Sequence, residues 1–199
     1  MTSNPRVYII YGIKASGKST LIREFYSQLT NREKKVIVLD DTFLEVSPGH
    51  SQNPFSHRVQ NYHGVKTFSI SDKRWADPVI RMILSQNNSV VMSLRGLYPS
   101  NYFSQFIGPS GEDAGPTTIF CTTTFKDLLE KDSTSFYKDI LENKIRKLNP
   151  SYISDTDDQV PGVTYKMENT DINPDFTYDR SLIGMQNIPE FVSSIIGLG

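Results

Sequence analysis

The stretch Val7-Tyr-Ile-Ile-Tyr11-Gly12-Ile-Lys-Ala-Ser-Gly17-Lys18-Ser19-Thr20 decides how the chain is read. Val7 to Tyr11 is apolar, β-branched and aromatic without alternation, the pattern of a strand buried on both faces of a parallel sheet. The run stops at Gly12. From Lys18 to Leu29 the apolar residues Leu21, Ile22, Phe25 and Leu29 recur at helical spacing, with Arg23 and Glu24 between them. Between strand and helix, Gly12 to Ser19 satisfies G-x-x-x-x-G-K-[ST]. Glycines let such a loop curl until successive backbone N–H groups face a polyphosphate, and the start of the following helix adds partial positive charge. At average residue frequencies the pattern arises by chance in roughly 1 of 100 chains of this length, and the flanking strand and helix reduce that further. Gly12, Lys14, Ala15, Ser16, Gly17, Lys18, Ser19 and Thr20 are the expected nucleotide contacts. Lys18 is placed on the β- and γ-phosphates of a nucleoside triphosphate and the Ser19 hydroxyl on Mg²⁺.

Outward from this loop the strand pattern repeats. Lys35 to Leu39 ends in Asp40-Asp41, and Ser89 to Leu94 and Thr117 to Thr122 supply two more strands. Helical patterns separate them at Trp75 to Gln86, Ser100 to Ile107 and Thr124 to Glu130. A longer one runs from Phe136 to Leu148 and ends at Asn149-Pro150. Val163 to Met167 reads as the fifth strand. Asn187-Ile-Pro-Glu190 reads as the cap, early proline and acidic first turn of a closing helix through Ile196. The alternation predicts a three-layer α/β/α sandwich with a mostly parallel five-stranded sheet, and the phosphate loop after its first strand makes the expected type that of P-loop NTPases, nucleotide kinases among them. Glu45 to Phe68 has little periodicity and is taken as a functional loop. Trp75 is read as core.

A chain of 199 residues suits one domain, here residues 1–199. With 37% hydrophobic and 22% charged residues it can bury a core and is not of disordered composition. Twenty-one Lys+Arg against 22 Asp+Glu, a net charge of -1, argue against a nucleic-acid polymer as partner. The single cysteine, Cys121, lies in a strand pattern, which excludes a disulfide framework and a thiolate zinc site and fits a cytoplasmic location. His50, His57 and His63 lack metal-ligand spacing. No export signal or membrane span is seen. A homodimer is left open.

Further signals are distributed. A carboxylate after the second strand suits orienting an acceptor hydroxyl, taking its proton or holding Mg²⁺ through water, and Asp40 and Asp41 both qualify, against the alternative of an aspartate pair ending a strand at the surface. Adjacent extended residues point to opposite sides, so one of the two faces the site. Arg95 ends the third of these strands, where ligands of open α/β sheets gather, and with Arg58 it is an acceptor-anion candidate, the alternative for each being a solvated arginine. Phe55, Tyr62 and Phe68 can stack on a base or simply pack. Lys131 and Lys138 flank Asp132 and Tyr137 where a lid would close. Asp127, Glu130, Asp139 and Glu142 interleave with lysines as in a solvated helix face.

Gly12-Ile-Lys-Ala-Ser-Gly-Lys-Ser-Thr20 resembles the phosphate loop of adenylylsulfate kinases, G-L-S-A-S-G-K-S-T, at all but two positions. Leu39-Asp40-Asp41-Thr42 is similar to that family's L-D-G-D-N, one residue shorter. His57-Arg58-Val-Gln-Asn61 echoes its D-R-x-E-N. Thr122-Thr-Thr124, then Lys131-Asp132 to Tyr137-Lys138, follows its V-D-T-P and R-D-x-K-G-L-Y-K. The resemblance spans nearly the whole chain and implies the fold, ATP-dependent phosphoryl transfer and a nucleotide-like acceptor. It favours Asp41 over Asp40, adds Asn61 beside Arg58, and implies an acceptor loop at about 45–70 and a lid at about 131–160. The departures fall on the acceptor side. Leu94-Arg95-Gly-Leu-Tyr-Pro99 replaces I-S-P-Y-R, and Lys131 replaces the lid arginine. The acceptor is thus open between adenylyl sulfate and a nucleoside monophosphate or modified nucleotide. An ATPase or GTPase switch acting through a protein partner would instead want N-K-x-D or a D-x-x-G followed by glutamine, and neither is present.

Overall fold

Why the chain folds as it does is clearest at its first strand, where every side chain is buried and neighbours alternate between two different cores. The computed structural model describes residues 6–12, 15–32, 35–40, 60–62, 65–70, 73–95, 103, 115–123, 127, 130 and 173–197. Strand β1 is Val7–Gly12, followed by helix α1, Lys18–Asn31, and β2, Lys35–Leu39. Then come β3, Gln60–Tyr62, β4, Val65–Phe68, helix α2, Ala76–Ser85, and β5, Asn88–Arg95. Strands β6, Thr117–Thr122, and β7, Phe176–Asp179, precede helix α3, Ile188–Gly197.

The seven strands form one sheet in the order β3-β4-β2-β5-β1-β6-β7. All neighbours pair in parallel except β3 with β4. Val7, Ile9 and Tyr11 face one core with Val90, Met92, Leu94 and Phe120. Ala76, Val79, Ile80 and Ile83 of α2 cover this face, one stripe at i, i+3, i+4 and i+7. Tyr8 and Ile10 face the other with Val91, Ile119 and Cys121, beneath Leu21, Ile22, Phe25 and Leu29 of α1 and Ile188, Val192, Ile195 and Ile196 of α3. Tyr8 stacks obliquely on Phe25, ring centres 5.0 Å apart, and Tyr11 lies between Phe103 and Phe120. Burying a side chain the size of Ile9 or Phe25 contributes about 2 kcal/mol before entropy is counted. Helices on both faces of a mostly parallel sheet are the expected three-layer α/β/α sandwich.

Three details differ from the sequence reading. Among the described residues the sheet has seven strands where five were expected, because the tail of the Glu45 to Phe68 stretch holds the β3–β4 hairpin, and β4 pairs with β2 at Val38↔Thr67 and Leu39↔Phe68. Strands of three and four residues are too short to show a period. The strand beside β6 is Phe176–Asp179, pinned by Asp175, whose carboxylate accepts hydrogen bonds from the Thr118 amide at 2.7 Å and hydroxyl at 2.8 Å. Val163 to Met167, like Phe136 to Leu148 and most of Ser100 to Ile107 and Thr124 to Glu130, lies outside the described residues. Trp75 is not core: it is 44% exposed, in a short 3-10 turn that starts α2 one residue later. No helix among the described residues is long and apolar enough to cross a membrane.

Candidate phosphate-binding site

Strand β1 lies between β5 and β6, so the chain leaves it toward β2 on one side and later crosses to β6 and β7 on the other. The crevice at the carboxyl end of such a strand is where ligands of open α/β sheets bind. Gly12 ends β1 there with φ +147°, and a Cβ at this position would run into the Cys121 carbonyl of β6. Both conformation and space therefore demand glycine. Ala15 adopts φ +62°, a left-handed conformation costing about 1 kcal/mol for a residue with a side chain. Gly17, φ +101°, is the N-cap of α1, and the Tyr178 ring would stand 2.9 Å from any Cβ placed on it.

Gly17 has no side chain with which to cap α1, and no acidic residue stands in that first turn. A helix start without a carboxylate of its own favours an anion. Ser16 is fully buried, and Lys18, Ser19 and Thr20 open the helix partly exposed. Lys18 lies close enough to Cys121 to favour its thiolate, but burial dominates and pushes that thiol up to about 12. Cys121 stays protonated near neutrality and is no nucleophile.

Two carboxyl ends away, Asp40 follows β2 and is 7% exposed. Its amide donates to the Phe68 carbonyl at 2.8 Å, and its own carbonyl accepts from the Ser69 hydroxyl at 2.7 Å. Arg95 closes β5 directly across from Gly12 in the register, so its backbone borders the phosphate loop. Asn61 lies in β3 opposite Lys66. Lys14, Asp41, Phe55, Arg58, Lys131 and Lys138 lie outside the described residues. Among the described residues no three acidic, histidine or cysteine side chains gather as a metal cluster.

The sequence reading missed the residues behind the loop. Arg180, directly after β7, donates from Nη1 to the Ala15 carbonyl at 2.6 Å, from Nε to Asp127 Oδ2 at 3.1 Å and from Nη2 to the Asp127 carbonyl at 3.1 Å. Asp127 also accepts from the Thr123 hydroxyl at 3.0 Å. Asp127 is therefore not merely part of a solvated helix face: its side chain is 30% exposed, and that of Arg180 18%. The only sequence signal is a basic residue just past a strand, unreadable while that strand itself goes unread.

A glycine turn running from a central parallel strand into a helix N-terminus, at the switch point of a three-layer sandwich, is the arrangement of a P-loop fold. No known protein family matches the chain, and no curated protein does. Among solved structures it is similar to the Mycobacterium tuberculosis APS kinase CysC in complex with AMPPNP and APS, with a TM-score of 0.55 at 16% identity, covering 98% of each chain. A second similar structure, APE1195, has a TM-score of 0.53 at 15% identity, covering 98% of this chain and 96% of that one. At the level of fold, the chain resembles the adenylylsulfate kinases.

Proposed function

We propose that this protein is an ATP-dependent small-molecule kinase that transfers the γ-phosphate to a hydroxyl of a nucleotide-like acceptor. The observation that carries the reading is the phosphate loop itself: Gly12 and Gly17 in conformations only glycine accepts readily, leading into a helix end with neither cap nor carboxylate. The APS kinase to which the chain is similar holds an ATP analogue and APS, which supports a nucleotide donor and a nucleotide-like acceptor.

Backbone amides of the loop and the Lys18 ammonium bind the β- and γ-phosphates and stabilise charge as the bridging oxygen departs. The donor set suits Mg²⁺, which takes few protein ligands, all oxygen, and otherwise phosphates and water. Ser19 at the helix start and the nearly buried Asp40 carboxylate are hard oxygen groups of that kind, and Mg²⁺ when bound would neutralise phosphate charge. Asp41, or Asp40 beside it, accepts the proton of the acceptor hydroxyl while that oxygen bonds to the γ-phosphorus and ADP leaves. Arg58, Asn61 and Arg95 hold the acceptor's anionic and polar groups. The segment at about 131–160, with Lys131 and Lys138, closes over the phosphates and keeps water out.

The test is ADP release from Mg·ATP against adenylyl sulfate, the common ribo- and deoxynucleoside monophosphates, and no acceptor. Stimulation by one acceptor supports the proposal and names the substrate. Acceptor-independent release would favour an ATPase switch, and no release with any acceptor would count against a kinase of this substrate class.

A further inference from the structure

We propose that Arg180 is a positioning residue for the phosphate loop, pinning the Ala15 carbonyl outward and so turning the Ser16 amide toward the nucleotide's phosphates. The inference rests on the ATP-binding reading above and adds to it a residue outside the loop.

In a trans peptide the C=O and the following N–H point in opposite directions, and no peptide bond among the described residues is cis. Ala15 and Ser16 share one such unit. Whatever fixes the Ala15 oxygen therefore fixes the direction of the Ser16 N–H. That oxygen receives the shortest hydrogen bond Arg180 makes, 2.6 Å from Nη1. The peptide follows a residue at φ +62°, which an alanine abandons readily unless its surroundings hold it.

Arg180 is suited to do the holding because both ends of its attachment are rigid. Its own amide donates to the Thr122 carbonyl at 3.0 Å, prolonging the β6–β7 ladder by one rung. Its Nε and Nη2 are taken by the Asp127 carboxylate and carbonyl, and Asp127 is steadied by the hydroxyl of the buried Thr123, just past β6. Two residues before Arg180, the Tyr178 ring packs beside Gly17 at the other end of the same turn. The planar guanidinium thus links three acceptors in fixed directions, which a lysine ammonium cannot reproduce. Because Asp127 balances its charge, Arg180 acts by orientation more than by attracting the phosphates.

The experiment titrates the full chain and its Arg180→Met, Arg180→Lys and Asp127→Asn variants with Mg·ATP by calorimetry. Melting temperatures and the Ser16 amide resonance of nucleotide-free, ¹⁵N-labelled protein are recorded beside each titration. Arg180→Met should weaken Mg·ATP by about ten- to a hundredfold, the effect of one charge-assisted hydrogen bond, with the melting point held and the Ser16 resonance moved. Arg180→Lys should recover only part of the affinity. Wild-type affinity in Arg180→Met, or a loss that merely tracks a fall in melting temperature, would overturn the proposal. Should Arg180→Met not fold, Asp127→Asn decides: an affinity and a Ser16 resonance both unchanged from wild type overturn it. If the wild-type chain binds no Mg·ATP, the kinase reading falls by itself. The Ser16 resonance then still separates a loop held by Arg180 from one that is not.

Discussion

At the carboxyl ends of β1, β6 and β7 the molecule presents curved backbone, the proposed phosphate end, whereas past β2 and β4 it presents the side chains of Asp40 and Ser69, the proposed acceptor end. Gly12, Ala15 and Gly17 owe their roles to their φ angles and to the lack of a Cβ at two of them, and Arg180 and Tyr178 support that backbone from behind. Asp40, Ser69 and the end of β5 at Arg95 are brought to the other end by separate strands meeting in the sheet. A polyphosphate needs many N–H groups in one curve, which one contiguous segment can supply. An acceptor has an individual shape, and its recognition is assembled from distant segments. The first kind of site is written in consecutive residues, and the second is not.

If the comparison holds, damage at the phosphate end should be severe and independent of acceptor. Lys18→Ala should lower transfer by about a thousandfold or more with circular dichroism unchanged, since the ammonium acts on phosphate rather than in the core. Loss of folding would assign it to the structure instead. Gly12→Ala should cost about 3 kcal/mol in urea unfolding, because an L-residue is strained at φ +147° and its Cβ meets the Cys121 carbonyl. A variant as stable as wild type would mean the loop adapts, and the backbone argument would lose its footing.

At the acceptor end the effects should be smaller and selective. Asp40→Asn should reduce turnover by about ten- to a hundredfold, with Mg·ATP affinity reduced far less, in steady-state assays with the stimulating acceptor. Equal losses in both would confine Asp40 to Mg²⁺ and the nucleotide, with no part in the acceptor's deprotonation. The shared core sets a milder pH limit. Burial raises the Cys121 thiol from 9.0 to about 12 and raises the hydroxyls of Tyr8, Tyr11 and Tyr178 above their usual 10.0. The native state therefore holds these protons more tightly than the unfolded chain. The stability this contributes is complete below about pH 9 and is lost as pH rises toward about 12. Urea midpoints should fall steadily above pH 9, and less steeply in Cys121→Ala. At pH 8 a thiol reagent should label Cys121 only on unfolding.

The same contrast explains what could be read in advance. Strands β1, β2 and β6 and helices α1 and α3 announced themselves through continuous apolar runs or stripes, because burial on two faces or one stripe dictates residue type along a contiguous segment. Strand β4 did not, since Val65-Lys-Thr-Phe68 becomes a strand by pairing with β2 and β3. Strand β7 was not read, and the last strand expected, Val163 to Met167, lies outside the described residues. Phe176-Thr-Tyr-Asp179 is no stronger a pattern, and its place beside β6 depends on Asp175 meeting Thr118 across 57 positions. Trp75 looked like core by size alone, yet the stripe of α2 begins at Ala76 and leaves the indole half outside. Within the candidate site, the succession of strand, glycine turn and helix around Gly12 and Gly17 was legible, and the Arg180–Asp127 support, 53 residues apart, was not.

The central claim is that phosphate leaves ATP for an acceptor rather than for water. Incubating the chain with γ-labelled Mg·ATP and the acceptor that best stimulates ADP release, and separating the products, tests it most directly. The label is predicted to appear in the acceptor in step with ADP, and in neither product with Lys18→Ala. Label recovered as inorganic phosphate, at the same rate with or without acceptor, would contradict the account.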